Sequence, residues 1–270
     1  TRSALHVRSQ TVSFKPHFYC LCLMPIAPST PRFDLKDRSV LITGANRGLG
    51  AALCKTILQY SPKIIHAGYR TAPGEFEDPL NSWCQLDIQD EASVATAAAS
   101  IGELDVLINN AGMLIPTAAD PAEERANLEA MMDLHLHNPL RLIDALLPSL
   151  QASSQPMIVN MISMAAFASV PGCEGYCTSK AALHAATQGL RLKHPDIHCV
   201  GVYPGPTATD MTAGSTAPLA DAMKSAATIL SGLCEGKTAI FPDEAALAVE
   251  SLVGAGVATL EQQFTILLSD

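Results

Sequence analysis

Tyr176 and Lys180 stand one helical turn apart in the segment Tyr176-Cys177-Thr178-Ser179-Lys180, so a helix there puts a phenol and an ammonium on one face. A phenol has an ordinary pKa of about 10. A neighbouring ammonium favours phenolate and draws that value toward neutrality. Such a group can act as general acid to a carbonyl oxygen or as base to an alcohol. Ser163 lies one residue past an apolar run, and its hydroxyl can stabilise charge developing on a substrate oxygen. A Tyr and a Lys at this spacing are common on helix surfaces. Their meaning depends on the elements that must position them.

Those elements begin at Ser39-Val40-Leu41-Ile42, a short apolar run that reads as a buried strand. Thr43-Gly44-Ala45-Asn46-Arg47-Gly48-Leu49-Gly50 follows, and then a helical stretch over 51–60 with Leu53, Ile57 and Leu58 on one face. Strand, glycine-rich turn and helix form the first half of a βαβ dinucleotide site. Gly44 allows the tight turn, Gly48 lets the backbone approach a pyrophosphate, and Gly50 lets the helix pack close to the strand. The helix start adds free N–H groups and a positive dipole end for the phosphates.

The rest of the chain keeps the alternation. Strands are predicted over 63–67, 82–86, 104–109, 157–162 and 197–203, with helices over 90–100, 121–150 and 175–194 between them. Asp90 is the N-cap of the first of these helices. The pattern predicts an α/β fold: one doubly wound parallel sheet, covered by helices on both faces. Asn109, Ala111 and Gly112 after the fourth strand, Ser163 after the fifth and Tyr176 then share the carboxyl edge, where ligands of such sheets bind. Further on, 217–234 reads as a helix, 238–241 as a short strand and 245–260 as an Ala-rich helix. Residues 211–223, rich in Ala and Thr, read as a mobile lid over a mainly apolar pocket.

The end of the second strand bears on the cofactor. A carboxylate there binds an adenosine ribose and repels a 2′-phosphate. This chain has Tyr69 and Arg70 instead, and Arg47 sits inside the glycine turn. Two guanidinium groups suit a phosphate, so NADP(H) is expected over NAD(H), with solvated surface arginines as the alternative. Asp87 after the third strand can accept a bond from the adenine or cap the next turn.

The totals exclude several classes. Among 270 residues, 17 Lys and Arg face 26 Asp and Glu, a net charge of −9 that disfavours a nucleic-acid surface. No apolar run approaches a membrane span. Eight scattered cysteines suit reduced thiols and a cytoplasmic location better than a disulfide framework. Residues 1–34 hold no acid before Asp34 and several prolines. They read as a disordered extension, with Met24 as a potential start; a signal peptide or organellar presequence is the other reading. Cys20-x-Cys22 in that arm reads as incidental. The domain itself is expected over 35–270.

Taken together, residues 35–243 resemble the short-chain dehydrogenase/reductase family. The Thr-Gly-x-x-x-Gly-x-Gly turn falls on 43–50, Asn-Asn-Ala-Gly on 109–112, and the family's catalytic serine, tyrosine and lysine on Ser163, Tyr176 and Lys180. Pro204-Gly205, followed by Thr207 and Thr209, resembles the segment that covers the nicotinamide. The resemblance implies hydride transfer at C4 of the nicotinamide, with Lys180 also holding the ribose hydroxyls. Asn46, Leu49 and the other turn residues would hold the dinucleotide. It also implies a homodimer or homotetramer, though monomers occur.

One position departs from the family. Where it usually has a catalytic asparagine, Leu134-His135-Leu136-His137-Asn138-Pro139 places His135. The asparagine's backbone carbonyl helps hold a water that joins the lysine to solvent, a role that survives the change. Alternatively His135 relays protons itself, with a pKa near neutrality, or is a satisfied helix histidine. His135 and His137 point to different faces, so no metal site is expected. The expected function is an NADP(H)-dependent oxidoreductase that interconverts a small carbonyl and a secondary alcohol. The alternative is a low-turnover NADP(H)-binding protein serving interaction or redox sensing.

Overall fold

The computed structural model describes residues 32–253. Its strands are β1 (Ser39–Ile42), β2 (Ile64–Tyr69), β3 (Asn81–Gln85), β4 (Val106–Asn109), β5 (Met157–Met161), β6 (His198–Val202) and β7 (Ala239–Ile240). All neighbours pair in parallel, in the order β3-β2-β1-β4-β5-β6-β7. The order reverses between β1 and β4, which opens a crevice at their carboxyl ends. The helices are α1 (Gly48–Ile57), α2 (Glu91–Ile101), α3 (Pro121–Met132), α4 (Asn138–Ala152), α5 (Glu174–Lys193), α6 (Ala222–Cys234) and α7 (Glu244–Val253).

The sheet has a core on each face because successive strand residues point to opposite sides. Val40, Ile42, Val106, Val159 and Val200 pack with Leu53 and Ile57 of α1 and Ile229, Leu230 and Leu233 of α6. Leu41, Leu107, Ile158 and Cys199 face the other way, against Val94 of α2, Leu142 and Leu146 of α4 and Leu190 of α5. β1, β4 and β5 are buried along their whole length. Continuous apolar runs are what a parallel sheet covered on both sides demands. The expected doubly wound architecture is borne out, as is the Asp90 cap, whose carboxylate accepts from the Ala92 N–H at 2.9 Å.

Several boundaries differ for identifiable reasons. The helix expected over 121–150 is interrupted by a π-helical turn, Asp133–His137, which separates α3 from α4. The helix expected from 217 starts only at Ala222, because Asp221 caps it by accepting from the Lys224 N–H at 2.8 Å. Ahead of that cap, Ala220 pairs with Thr207 in an isolated bridge. Phe33 is buried and its N–H donates to the Cys234 carbonyl at 3.1 Å, so core packing begins before residue 35. Cys20-x-Cys22, the other readings of the N-terminal arm and the end of the helix expected over 245–260 lie outside the described residues. Among the described residues no helix is long and apolar enough to cross a membrane. Nor do they contain a cluster of metal-ligating side chains.

The opposite edge of the sheet is closed by Asp105. Its carboxylate accepts from the Ser39 N–H at 2.9 Å, from Arg38 at 3.3 Å and from the Ser153 hydroxyl. Burial acts to raise its pKa, but these bonds outweigh it and hold the carboxyl below the usual range. Asp105→Asn is expected to cost about 1–3 kcal/mol in urea unfolding at pH 7. A depressed folded pKa means the wild-type advantage is full above the unfolded value. It shrinks as pH falls through the folded value, so the two unfolding curves should converge in acid.

Candidate active site

The glycine turn is shaped by its neighbours in the crevice. Gly44 has a φ of +63°, a left-handed conformation that suits glycine. A Cβ on Gly50 would lie 2.2 Å from the Gly44 carbonyl, so the start of α1 can close on the turn only without a side chain. Thr43 and Asn110, which sequence reasoning did not assign to the site, lash this turn to the loop after β4. Thr43 Oγ1 accepts from the Asn110 and Ala111 N–H groups at 2.9 and 3.0 Å. Asn110 Nδ2 donates to the Thr43 and Gly44 carbonyls at 2.9 and 3.1 Å. No side chain caps α1 and no acid lies in its first turn, which leaves the positive helix end for an anion.

Other expected cofactor residues divide. Arg70 is exposed beyond β2. Arg47 pairs with Asp210 at 3.0 Å, both side chains largely exposed. Asn46 Nδ2 donates to the Ala72 carbonyl at 3.2 Å, joining the turn to the loop after β2. Leu49 packs against the core beneath α1. Asp87 accepts from the Gln89 N–H at 3.0 Å and so caps the turn after β3. The Asn109 side chain is not offered to a ligand: it is buried, and its amide donates to Asn160 Oδ1 at 2.9 Å. Asn160 in turn donates to Thr187 Oγ1 on α5. An asparagine in a buried strand needs internal partners, and these were not visible in local sequence.

Ser163, Tyr176 and Lys180 converge as expected at the carboxyl edge. Ser163, two residues past β5, caps a short turn, accepting from the Ala165 N–H at 3.2 Å and donating to the Pro204 carbonyl at 3.4 Å. Lys180 is 5% exposed, and its ammonium donates to the Met161 carbonyl at 2.9 Å. That nitrogen lies 5.7 Å from the centre of the Tyr176 ring. Burial pushes the Lys180 ammonium down to about 7. Burial likewise pushes the Tyr176 phenol up to about 12, with hydrogen bonding to Ser163 acting the other way. The acidified phenol expected from the Tyr–Lys spacing is therefore not a property of the protein alone. Desolvation dominates, and the ammonium bonds to a backbone carbonyl.

The same cation tests whether a dinucleotide fits. An ammonium carries three N–H donors, and among the described residues Lys180 Nζ has one acceptor. The remaining donors suit vicinal hydroxyls such as those of a ribose. Gly112 keeps this corner open: a Cβ there would come within 3.2 Å of His135 Nε2 and 3.8 Å of Lys180 Nζ. Together with the uncapped helix end, these residues fit a nicotinamide dinucleotide.

His135 is 1% exposed, within the π-helical turn. Its Nε2 accepts from the Met113 N–H at 3.1 Å, and its Nδ1 lies 2.8 Å from Ser179 Oγ. Burial, reinforced by Lys180, pushes the imidazole down to about 2. The uncharged ring is the form this burial favours.

Internal bonds tie together the segment after β6. Thr207 is buried and donates to the Gly205 carbonyl at 3.1 Å. Thr209 and Thr212 cap each other across a short turn, and Ala208 and Ala220 pair through the backbone. Thr209 also packs over the turn, where a Cβ on Gly48 would meet it at 3.1 Å. Asp243, also missed from sequence, accepts from the Gly205 N–H at 2.8 Å and from the Ala246 N–H at 3.0 Å. Met211, Leu219 and Met223 remain exposed along the segment. Cys173 and Cys177 flank Tyr176, and burial pushes both thiols up, away from the reactive thiolate that redox sensing needs.

The chain belongs to the short chain dehydrogenase family, whose model matches residues 38–219. It is accordingly an oxidoreductase of that class, with the Rossmann fold. An uncharacterized oxidoreductase of Staphylococcus saprophyticus is 27% identical over 66% of this chain and 82% of its own length. A short chain dehydrogenase of Burkholderia cenocepacia, solved with NADP, superposes with a TM-score of 0.78 at 25% identity, covering 86% of this chain and 99% of that one. An NADPH-bound carbonyl reductase from chicken fatty liver gives 0.66 at 29% identity, covering 74% and 92%.

The buried ammonium has a thermodynamic consequence. The unfolded chain binds a proton at Lys180 that the folded chain gives up between pH of about 7 and about 10, so the charge opposes folding below that window. Lys180→Met should therefore raise the urea midpoint of the cofactor-free protein at pH 7, by a stabilisation on the order of 2–4 kcal/mol. The gain should diminish as pH rises toward about 10.

Proposed function

We propose that the protein is an NADP(H)-dependent reductase of carbonyl compounds, with Tyr176 as the proton donor. The observation that carries this reading is the convergence of Tyr176, Ser163 and Lys180 beside the uncapped start of α1. A bound nicotinamide supplies or accepts a hydride at C4. Tyr176 gives its hydroxyl proton to the substrate oxygen as negative charge grows there. Ser163 donates a hydrogen bond to the same oxygen. Lys180 holds the ribose hydroxyls and, once displaced toward them, favours the phenolate left behind. A phenol pushed up to about 12 is protonated at neutral pH, the form a proton donor needs.

NADP(H) is preferred because Arg70, exposed just beyond β2, and Arg47, inside the glycine turn, are guanidinium groups suited to a 2′-phosphate. The exposed Arg47–Asp210 pair is weak enough to be exchanged for a phosphate. Two structural neighbours carry NADP and NADPH, and another carries NAD. The apolar side chains of Met211, Leu219 and Met223 favour a small to medium apolar substrate.

Tyr176→Phe should reduce NADPH-dependent carbonyl reduction by at least about 100-fold. NADPH affinity, read by fluorescence titration, should change little. Equal loss of both would make the tyrosine structural. Arg47→Ala with Arg70→Ala should weaken NADPH binding more than NADH binding; an unchanged ratio would remove the basis for the preference.

A further inference from the structure

We propose that His135 is a positioning residue, a fixed neutral imidazole that clasps the loop after β4 to the first turn of α5 and so sets the place of Tyr176. The inference rests on Tyr176 being the proton donor. Its basis is a run of hydrogen bonds in which each proton has one possible place. The Met113 N–H can only donate, so His135 Nε2 accepts and the ring proton belongs to Nδ1. Nδ1–H then donates to Ser179 Oγ at 2.8 Å. Ser179 Oγ–H donates in turn to the Tyr176 carbonyl at 2.7 Å. The chain of bonds ends on the backbone of the residue that carries the phenol.

A second contact reaches the phenol ring itself. The His135 and Tyr176 rings meet edge to face, with centroids 5.5 Å apart and planes at 89°. Tyr176 is thus held at its carbonyl through Ser179 and along its ring by the imidazole. The π-helical turn carries the histidine into this position, and such turns often mark functional sites. Only a neutral imidazole offers one donor and one acceptor nitrogen here. A second ring proton would face the Met113 N–H donor and the nearby Lys180 ammonium. The histidine therefore does more than fill space in a helix, and it does so without exchanging protons.

The test combines one spectroscopic and one kinetic readout on the full chain. In ¹⁵N-histidine-labelled protein, His135 should show the Nδ1–H tautomer, unchanged between pH 5 and pH 8. Titration in that range, or the Nε2–H tautomer, overturns the proposal. His135→Leu and Ser179→Ala should shift the ¹³C carbonyl resonance of Tyr176 in the same direction, and opposite or absent shifts also overturn it.

For kinetics, NADPH oxidation is followed with a fixed set of quinones, aldehydes and ketones, using the one wild type reduces fastest. His135→Leu should lower kcat by about 10- to 100-fold, as misplacement of a reacting group does, with NADPH affinity within about twofold of wild type. His135→Asn, which keeps a donor near the Nδ1 position, should recover part of the loss. Losses in His135→Leu and Ser179→Ala should be strongly non-additive in the double variant, whereas simple addition counts against a shared path. If His135→Leu fails to fold, Ser179→Ala and the tautomer decide. An active Tyr176→Phe would sink the functional reading. A dead Tyr176→Phe beside an unimpaired His135→Leu would sink only the clasp.

Discussion

A positive charge held out of water at the end of β5 is the constraint from which the site follows. Lys180 sits among buried groups with a backbone carbonyl as its bonded partner. Such a cation is unfavourable unless its remaining donors find oxygens. Burial pushes the ammonium down to about 7 and the nearby phenol up to about 12. Both groups are displaced toward their neutral forms, as desolvation requires. A ligand that brings hydroxyls to the ammonium would restore its charge, and with it the influence on the phenol. Binding and acid strength are coupled through one side chain.

Positioning that charge demands a rigid frame. β4 and β5 are fully buried between two cores, which fixes the Asn-Asn-Ala-Gly loop and Ser163 at the same edge. Thr43 and Asn110 lock the glycine turn to this frame through four bonds. The Asn109–Asn160–Thr187 series extends it across two strands into α5, the helix that bears the tyrosine and the lysine. The polar residues between the cores serve geometry, and the chemistry is left to the few groups at the crevice.

How much of this was legible in the sequence depends on the range of the interactions. Continuous apolar runs and intervening helical periods were enough for the sheet, and a local signal such as Asp90 was enough for its cap. That Ser163, Tyr176 and Lys180 would meet at one edge of the sheet was legible because turn, loop and helix motifs occur in a fixed order. The direction of the Tyr176 shift was not, since it depends on burial and on which oxygen the ammonium reaches. Asn109 looked available because its partner lies on another strand, at Asn160. The neutral state of His135 follows from the Met113 N–H and Ser179, which sequence spacing does not bring together. The break between α3 and α4 also escaped, because a π-helical turn preserves the apolar pattern of the helices on either side.

The bonds around Asp243 join the last described helix to Ser163. Its carboxylate starts α7 and grips the Gly205 amide, and the adjoining Pro204 carbonyl receives the Ser163 hydroxyl. The seating of the last described helix is thereby transmitted, link by link, to the serine's orientation. Drift of residues in α7 can thus retune the serine hydroxyl, so this helix offers evolution a remote dial on the crevice.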